Sequence, residues 1–323
     1  MRYAYNSVLA PYIIGLIKQK RSDGFGYKEE EYHLKKIDEF CLLRFPDANT
    51  VTRELASEWS VIRPTEGRNY LRRRISMLKQ LSIYILSLGL EAYVPRYVGS
   101  TDKPVLYIPS HEELTHFFRE LDSSDGREVN GLCYASKYKI MFRLYYCCGL
   151  RLSEVRLLKA ENVDLERGIL TIKQSKGRKD RLVYLPPDGI NVLANYWHNL
   201  EKVLPGALWL FPGESSSKPL AANTVRRAFI KCWNKLPFAA NADKQPSIHC
   251  LRHAFVVERM NDWMNSGIEL QKMLPYLSSY LGHASPSETF YYYHLVNKAF
   301  AIIKQKDRVS GRVIPEVMLY EEI

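Results

Sequence analysis

The fold that this sequence predicts is mostly α-helical, in two domains, with one small antiparallel β-sheet. Three observations predict it. Apolar residues recur at three- and four-residue steps over most of the chain. Strand-like patterning is confined to about residues 169–185, and a proline-bearing extended stretch at 92–109 separates two periodic regions. The 323 residues suffice for two hydrophobic cores.

Residues 3–20 read as a first helix, stopped by Ser22-Asp23-Gly24-Phe25-Gly26. Residues 28–45 form a second, with Tyr32, Leu34, Ile37, Cys41 and Leu42 on its apolar side. Thr52 can cap a short third helix, and Thr65 a long fourth that ends before Gly89. In that fourth helix Leu71, Ile75, Leu78 and Ile85 make a core stripe. Arg68, Arg72, Ser76 and Lys79 recur on another face, with Arg73 and Arg74 beside them. A charged helix face is ordinarily just solvated. Here nearly every charge is positive, so repulsion goes uncompensated unless an anion supplies the partner. Arg68, Arg72, Arg73, Arg74 and Lys79 are therefore read as polyanion contacts.

The second domain opens on Ser110-His111-Glu112-Glu113, a capping box in which serine and glutamate satisfy each other's backbone N–H groups. The expected boundaries are 1–95 and 110–306 for the domains, 96–109 for the linker and 307–323 for a tail. Residues 136–148 read as a buried helix broken at Gly149, with the next helix starting near Ser153. Arg151 thus falls on a turn between helices, and Glu154 can orient it. Residues 169–173 and 181–185 pair as a hairpin whose connection, Gln174 to Asp180, carries Lys176, Arg178 and Lys179. Asn223 is placed as the cap of a helix bearing Arg226, Arg227 and Lys231. His249, Arg252 and His253 share one face of the following helix. Asn265, Gly267 and Pro275 interrupt the segment before His283, which reads as one or two extra surface turns. Ser285-Pro286-Ser287-Glu288 is a second capping box, opening a helix that carries Tyr291, Tyr292 and Tyr293.

Composition narrows the function. A formal net charge of +11 attracts polyanions, either nucleic acid or an anionic membrane surface. No apolar run is long enough for a bilayer, and the N-terminus lacks a signal-peptide pattern, so the chain is expected to be cytoplasmic. The six cysteines are scattered without metal-ligand spacing and read as reduced, mostly buried residues. His249 and His253 have the spacing of a zinc pair, but no third ligand is suitably placed, so neither metal nor cofactor is expected.

The chemistry-bearing pieces come in order: Gly149-Leu150-Arg151-Leu152-Ser153-Glu154, a basic hairpin turn, His249-Cys250-Leu251-Arg252-His253, Leu281-Gly282-His283 and Tyr292. Guanidinium forks grip phosphate oxygens through paired hydrogen bonds, and a tyrosine hydroxyl is a nucleophile. This ordered set resembles the tyrosine recombinase (phage integrase) family, from about Ser110 to His294 with an extension towards the N-terminus, as a simple two-domain integrase.

The resemblance implies a helical core-binding (SAM-like) domain and an α-rich catalytic domain, closing on double-stranded DNA as a C-shaped clamp. It assigns phosphate binding to Arg151 and Arg252, and proton transfer to His249. His283 would contact the phosphate, with Glu154 and His253 in support. By position Lys176 protonates the leaving 5′ oxygen, with Lys179 its rival, while Arg178, Lys179 and Arg181 touch flanking phosphates, as Arg226 and Arg227 could.

The resemblance makes Tyr292 the nucleophile, because it follows His283 by nine residues as in the family, with Thr289 and His294 in matching positions. The implied assembly is a homo-tetramer on DNA, with tails exchanged between protomers and accessory recombination factors as further partners. A mobile-element integrase is the leading expectation. A housekeeping chromosome-dimer resolvase, a type IB topoisomerase and a non-catalytic DNA-binding regulator are the alternatives.

Overall fold

The structure, a computed structural model, describes residues 2–96, 106–124, 128–129, 132–173, 180–213, 215–241, 245–283 and 285–293. The chain divides into two compact units, Met1–Pro104 and Val105–Ile323.

The first unit contains α1 (Ala10–Ser22), α2 (Lys28–Arg44), α3 (Arg53–Trp59) and α4 (Arg68–Ser87). Helices α1 and α2 both pack on α4. Their core joins Leu9, Ile13 and Ile17 to Leu34, Ile37, Trp59, Leu78 and Ile85. Thr52 caps α3 as expected, accepting from the Leu55 N–H at 3.2 Å.

Three expectations are corrected. Helix α1 begins at Ala10 rather than residue 3, where Pro11 suits a first turn. The preceding residues are held instead by α2, whose buried Asp38 accepts from the Asn6 and Ser7 N–H groups and the Ser7 hydroxyl. Gly67, not Thr65, occupies the cap position of α4. Tyr32 and Leu42 of α2 are exposed, while His33 and Asp38 take the buried positions beside Leu34, Ile37 and Cys41.

Arg74 is the fourth correction. It is buried at 1 % exposure, and its guanidinium donates to both Glu66 carboxylate oxygens at 2.6 and 2.7 Å and to the Trp59 and Val61 carbonyls. Its fork is consumed in bracing α4 against the end of α3, so it cannot reach an external phosphate. Arg68 and Arg73 are exposed, and Arg72 and Lys79 half-buried.

The second unit contains α5 (His111–Ser123), β1 (Glu128–Val129), β2 (Leu132–Cys133), α6 (Tyr134–Cys147), α7 (Leu152–Arg156), β3 (Val163–Asp164), β4 (Ile169–Ile172) and β5 (Arg181–Tyr184). Then come α8 (Pro187–Val203), α9 (Ala222–Trp233), α10 (His249–Asn265), α11 (Leu270–Leu281) and α12 (Ser287–Phe290). Helix α6 is central, packing on α5, α8 and α10. An aromatic cluster of Phe117, Phe142, Phe229 and Trp233 fills the middle of this core.

The Ser110–Glu113 capping box forms with both of its bonds. The sheet has the order β3-β4-β5, antiparallel throughout, with Ile172 opposite Arg181. That register brings Arg181 to the root of the hairpin.

The segment before His283 is not a surface insertion. Leu270, Leu274, Leu277 and Leu281 of α11 are buried against Phe255, Val256 and Met260 of α10, and α11 continues through Pro275. Asn223 lies inside α9 rather than capping it; its side chain accepts from Arg226 at 3.0 Å. The second capping box does not form either. Ser285 bonds Ser287, α12 stops at Phe290, and Tyr291 to Tyr293 continue as a turn. Cys41, Cys148, Cys232 and Cys250 are buried free thiols, and Cys147 is a half-buried one.

Candidate active site

Arg151 is presented by a turn that only glycine can make. Gly149 ends α6 at φ +60°, and a Cβ there would meet the Phe255 ring at 2.5 Å and Leu281 at 3.1 Å. Two residues on, Arg151 occupies the position just before α7 in extended conformation. Glu154 in the first turn of α7 accepts from the Arg151 backbone N–H at 2.8 Å and from its Nη1 at 3.0 Å. One carboxylate thus fixes both ends of the arginine.

The C-terminal end of α11 gathers three guanidinium groups on three successive carbonyls. Arg181 Nε donates to the Tyr280 carbonyl at 2.6 Å, Arg252 Nη2 to Leu281 at 2.8 Å, and Arg151 Nη2 to Gly282 at 2.7 Å. A helix C-terminus carries unsatisfied carbonyls and a partial negative charge, so it is a natural anchor for cations. Gly282 caps the helix at φ +64°, and a Cβ there would come within 3.0 Å of Arg181 Nη1.

Arg252 is 2 % exposed and also donates from Nη1 to the Gly149 carbonyl at 2.5 Å. Burial, then the nearby Arg151 charge, pulls it down to about 10 from its usual value, still protonated at neutral pH.

Arginine has no acceptor, so the 3.0 Å contact between Arg252 Nη2 and His283 Nε2 makes Nε2 the acceptor. His283 Nδ1 then carries the proton and donates to the buried Thr289 hydroxyl at 2.7 Å. In this arrangement His283 orients Arg252.

His249 stands at the open side of the same cavity. Partial burial and the Arg252 and Arg151 charges lower its pKa, although its exposed ring lets water screen much of the effect. His253, one turn on, has its ring 5.0 Å from that of His249 and its Nδ1 2.6 Å from the Tyr292 hydroxyl. Tyr292 is 6 % exposed and packs on the α10–α11 core. Burial raises its pKa against the opposing charges of Arg252 and Arg151.

Arg151, His249, Arg252, His253, His283 and Tyr292 therefore line one cavity of about 340 Å³, with Leu106, Glu288 and Tyr291 completing its wall. Lys176, Arg178 and Lys179 lie outside the described residues. Arg181 departs from its expected role. Its side chain is 9 % exposed and bonded to Glu154 and Tyr280, so it braces the site rather than touching a flanking phosphate. Arg226 and Arg227 are exposed on α9. Among the described residues no three His, Cys, Asp or Glu side chains are grouped to hold a metal, and no helix is long and apolar enough to cross a membrane.

Sequence reasoning missed the carbonyl anchor on α11, the Arg181–Glu154 brace and the His253–Tyr292 contact. None left a local signal, because the partners lie 99 residues apart for Arg181 and Tyr280, 27 for Arg181 and Glu154, and 39 for His253 and Tyr292.

The profile of the phage integrase family matches residues 121–299. The Sinorhizobium fredii protein named "Putative integrase/recombinase y4rB" is 26% identical over 85% of this chain and 89% of its own. Tyrosine recombinase XerC of Chlorobaculum parvum is 26% identical over 70% of this chain and 68% of its own. Among solved structures, the Tn1549 transposon integrase in complex with circular intermediate DNA has the same fold. It superposes with a TM-score of 0.65 at 15% identity, over 91% of this chain and 98% of that one. With the family profile spanning more than half of its length, the chain belongs to the phage integrase family, the tyrosine recombinases.

Proposed function

We propose that the chain is a site-specific DNA recombinase of a mobile genetic element, cutting and rejoining duplex DNA through a 3′-phosphotyrosyl intermediate. One observation carries this reading: two anchored guanidinium groups, three histidines and a tyrosine hydroxyl converge on one cavity. Arg151 and Arg252 hold the non-bridging oxygens of the scissile phosphate, their planes fixed before DNA arrives, which is the preorganisation that electrostatic catalysis requires. Tyr292 attacks phosphorus and Lys176 protonates the departing 5′ oxygen, with His249 exchanging protons during attack and resealing. The phosphotyrosyl ester conserves the phosphodiester energy, so rejoining needs no nucleotide cofactor.

The Tn1549 transposon integrase, which shares this fold, is in complex with circular intermediate DNA, and this supports duplex DNA as the partner. The net charge of +11 and the basic face of Arg68, Arg72, Arg73 and Lys79 support it too. In this reading both units contact DNA, four protomers form the synapse, residues 307–323 pass between them, and the protein works in the cytoplasm.

The test is incubation with a nicked duplex taken from the DNA that flanks the gene. A covalent 3′ adduct is the expected result. Tight binding without an adduct would favour the non-catalytic regulator. The likeness to XerC supports a second reading, a chromosome-dimer resolvase. Adduct formation at a single chromosomal site, and not at the ends of an element, would select it.

A further inference from the structure

We propose that His253 is a catalytic residue of this site, its Nδ1 taking the Tyr292 phenol proton as Oη attacks phosphorus. The inference rests on the recombinase reading, moves the proton exchange with Tyr292 from His249 to His253, and so gives a chemical step to a residue that the sequence offers only as support. The contact is short, 2.6 Å between Nδ1 and the hydroxyl, with ring centroids 5.5 Å apart. A buried phenol needs an acceptor for its proton, and Nδ1 is placed to be one.

The base is gated by charge. His249 and Arg252 from α10, His283 from the α11–α12 connection, and Arg151 before α7 all face the cavity, with Glu288 from α12 the opposing charge. Burial, then His249, Arg252 and His283, brings His253 down to about 3, so without DNA the imidazole is neutral and a weak base. Tyr292 accordingly stays protonated. A bound phosphodiester adds one negative charge and the pentacoordinate transition state another, so proton affinity at Nδ1 rises when the substrate is in place.

The step balances as follows: the Oη–H bond breaks and its proton goes to Nδ1, while the pair left on Oη forms the Oη–P bond. The P–O5′ bond breaks with its pair on O5′, which takes a proton from a separate donor, the role proposed for Lys176. Resealing reverses the transfer, and His253 returns the proton to Oη.

The experiment compares wild type with His253→Asn and His253→Phe on a nicked duplex of flanking DNA carrying a 5′-bridging phosphorothiolate. A sulfur leaving group needs no acid, so adduct formation reports the nucleophile alone. Asparagine offers an oxygen near the Nδ1 position that accepts a hydrogen bond but not a proton.

The wild-type single-turnover rate should rise with pH to a plateau. His253→Asn should be about 100-fold slower near neutrality and lack the plateau, with DNA affinity by fluorescence anisotropy unchanged. A His253→Asn rate and profile matching wild type would reduce His253 to a hydrogen-bond partner and overturn the proposal. A wild-type rate that keeps rising with pH and never levels off would overturn it even if both variants misfolded. Wild-type protein that binds the duplex and forms no adduct would instead strike the recombinase reading. A measurement independent of the DNA site is the imidazole nitrogen-15 titration of His253 with and without saturating sulfate. An upward shift of about one pH unit or more is expected, and no shift would overturn the gate.

Discussion

Arg181 grips the Glu154 carboxylate with two parallel bonds, Nη1 to Oε1 at 2.9 Å and Nη2 to Oε2 at 2.8 Å. The same two oxygens receive Arg151 through its Nη1 and its backbone N–H. A hairpin arginine therefore sets the orientation of the arginine proposed to hold phosphate. Arg181→Met should destabilise the protein by about 3 kcal/mol, because the carboxylate is 4 % exposed and loses its bidentate partner. Arg181→Lys should recover little, since a point charge cannot make the paired bonds. Urea unfolding reads the stability, and adduct formation at saturating DNA should slow about tenfold or more.

Gly282 is the cap through which that geometry reaches α11. Gly282→Ala should lose about 1–2 kcal/mol for the left-handed backbone alone. Gly206 has a similar φ of +66° with nothing near its missing Cβ, so Gly206→Ala measures that backbone cost by itself. Any excess at Gly282, together with a slower adduct rate absent from Gly206→Ala, comes from the Arg181 and Arg151 guanidinium groups lying 3.0 and 3.4 Å from the new methyl. Equal effects at the two glycines would sink this account.

Three tyrosines in a row compete for the nucleophile's role. Tyr292 presents its hydroxyl to His253, while Tyr291 shares the cavity wall. Tyr292→Phe should retain DNA binding and abolish the covalent adduct; Tyr291→Phe and Tyr293→Phe should keep it. A denaturing gel of protein–DNA adducts decides, and an adduct that survives in Tyr292→Phe would shift the register by one.

Protonation of His253 opposes folding. Its folded value, about 3, lies below the ordinary histidine value of 6.5. The unfolded chain therefore binds the extra proton between those limits, and stability present above about pH 6.5 is lost as pH falls towards 3. With discounting for its half-open ring, the contribution is on the order of 2 kcal/mol. Urea midpoints measured from about pH 7 to 4 should fall less steeply in His253→Asn than in wild type. Parallel slopes would rule the linkage out.

Cleavage should be independent of divalent metal. The motivation is that anchored guanidinium groups of Arg151 and Arg252 supply the positive charge that a metal ion gives in many nucleases. Adduct formation on pre-bound DNA should persist in excess chelator, and its loss would refute the charge assignment.

The sequence by itself determined the helical architecture, the existence of the hairpin and the order of the residues that line the cavity. Period and caps such as Thr52 and Ser110 are local, lying within a few turns of chain, and the order of Arg151, Arg252, His283 and Tyr292 is read directly along it. Charge patterns were less informative, because a sequence shows that Arg74 and Arg181 are cationic but not what they face. Only the tertiary structure decided that Arg74 turns inward onto Glu66 and that Arg181 braces Glu154. It also decided that the segment before His283 is a core helix whose last carbonyls hold three arginines. The physical reason is that a guanidinium bonds whichever oxygens packing brings to it. Those oxygens lie 99 residues away for Arg181 and 131 for Arg151, beyond the reach of any local pattern.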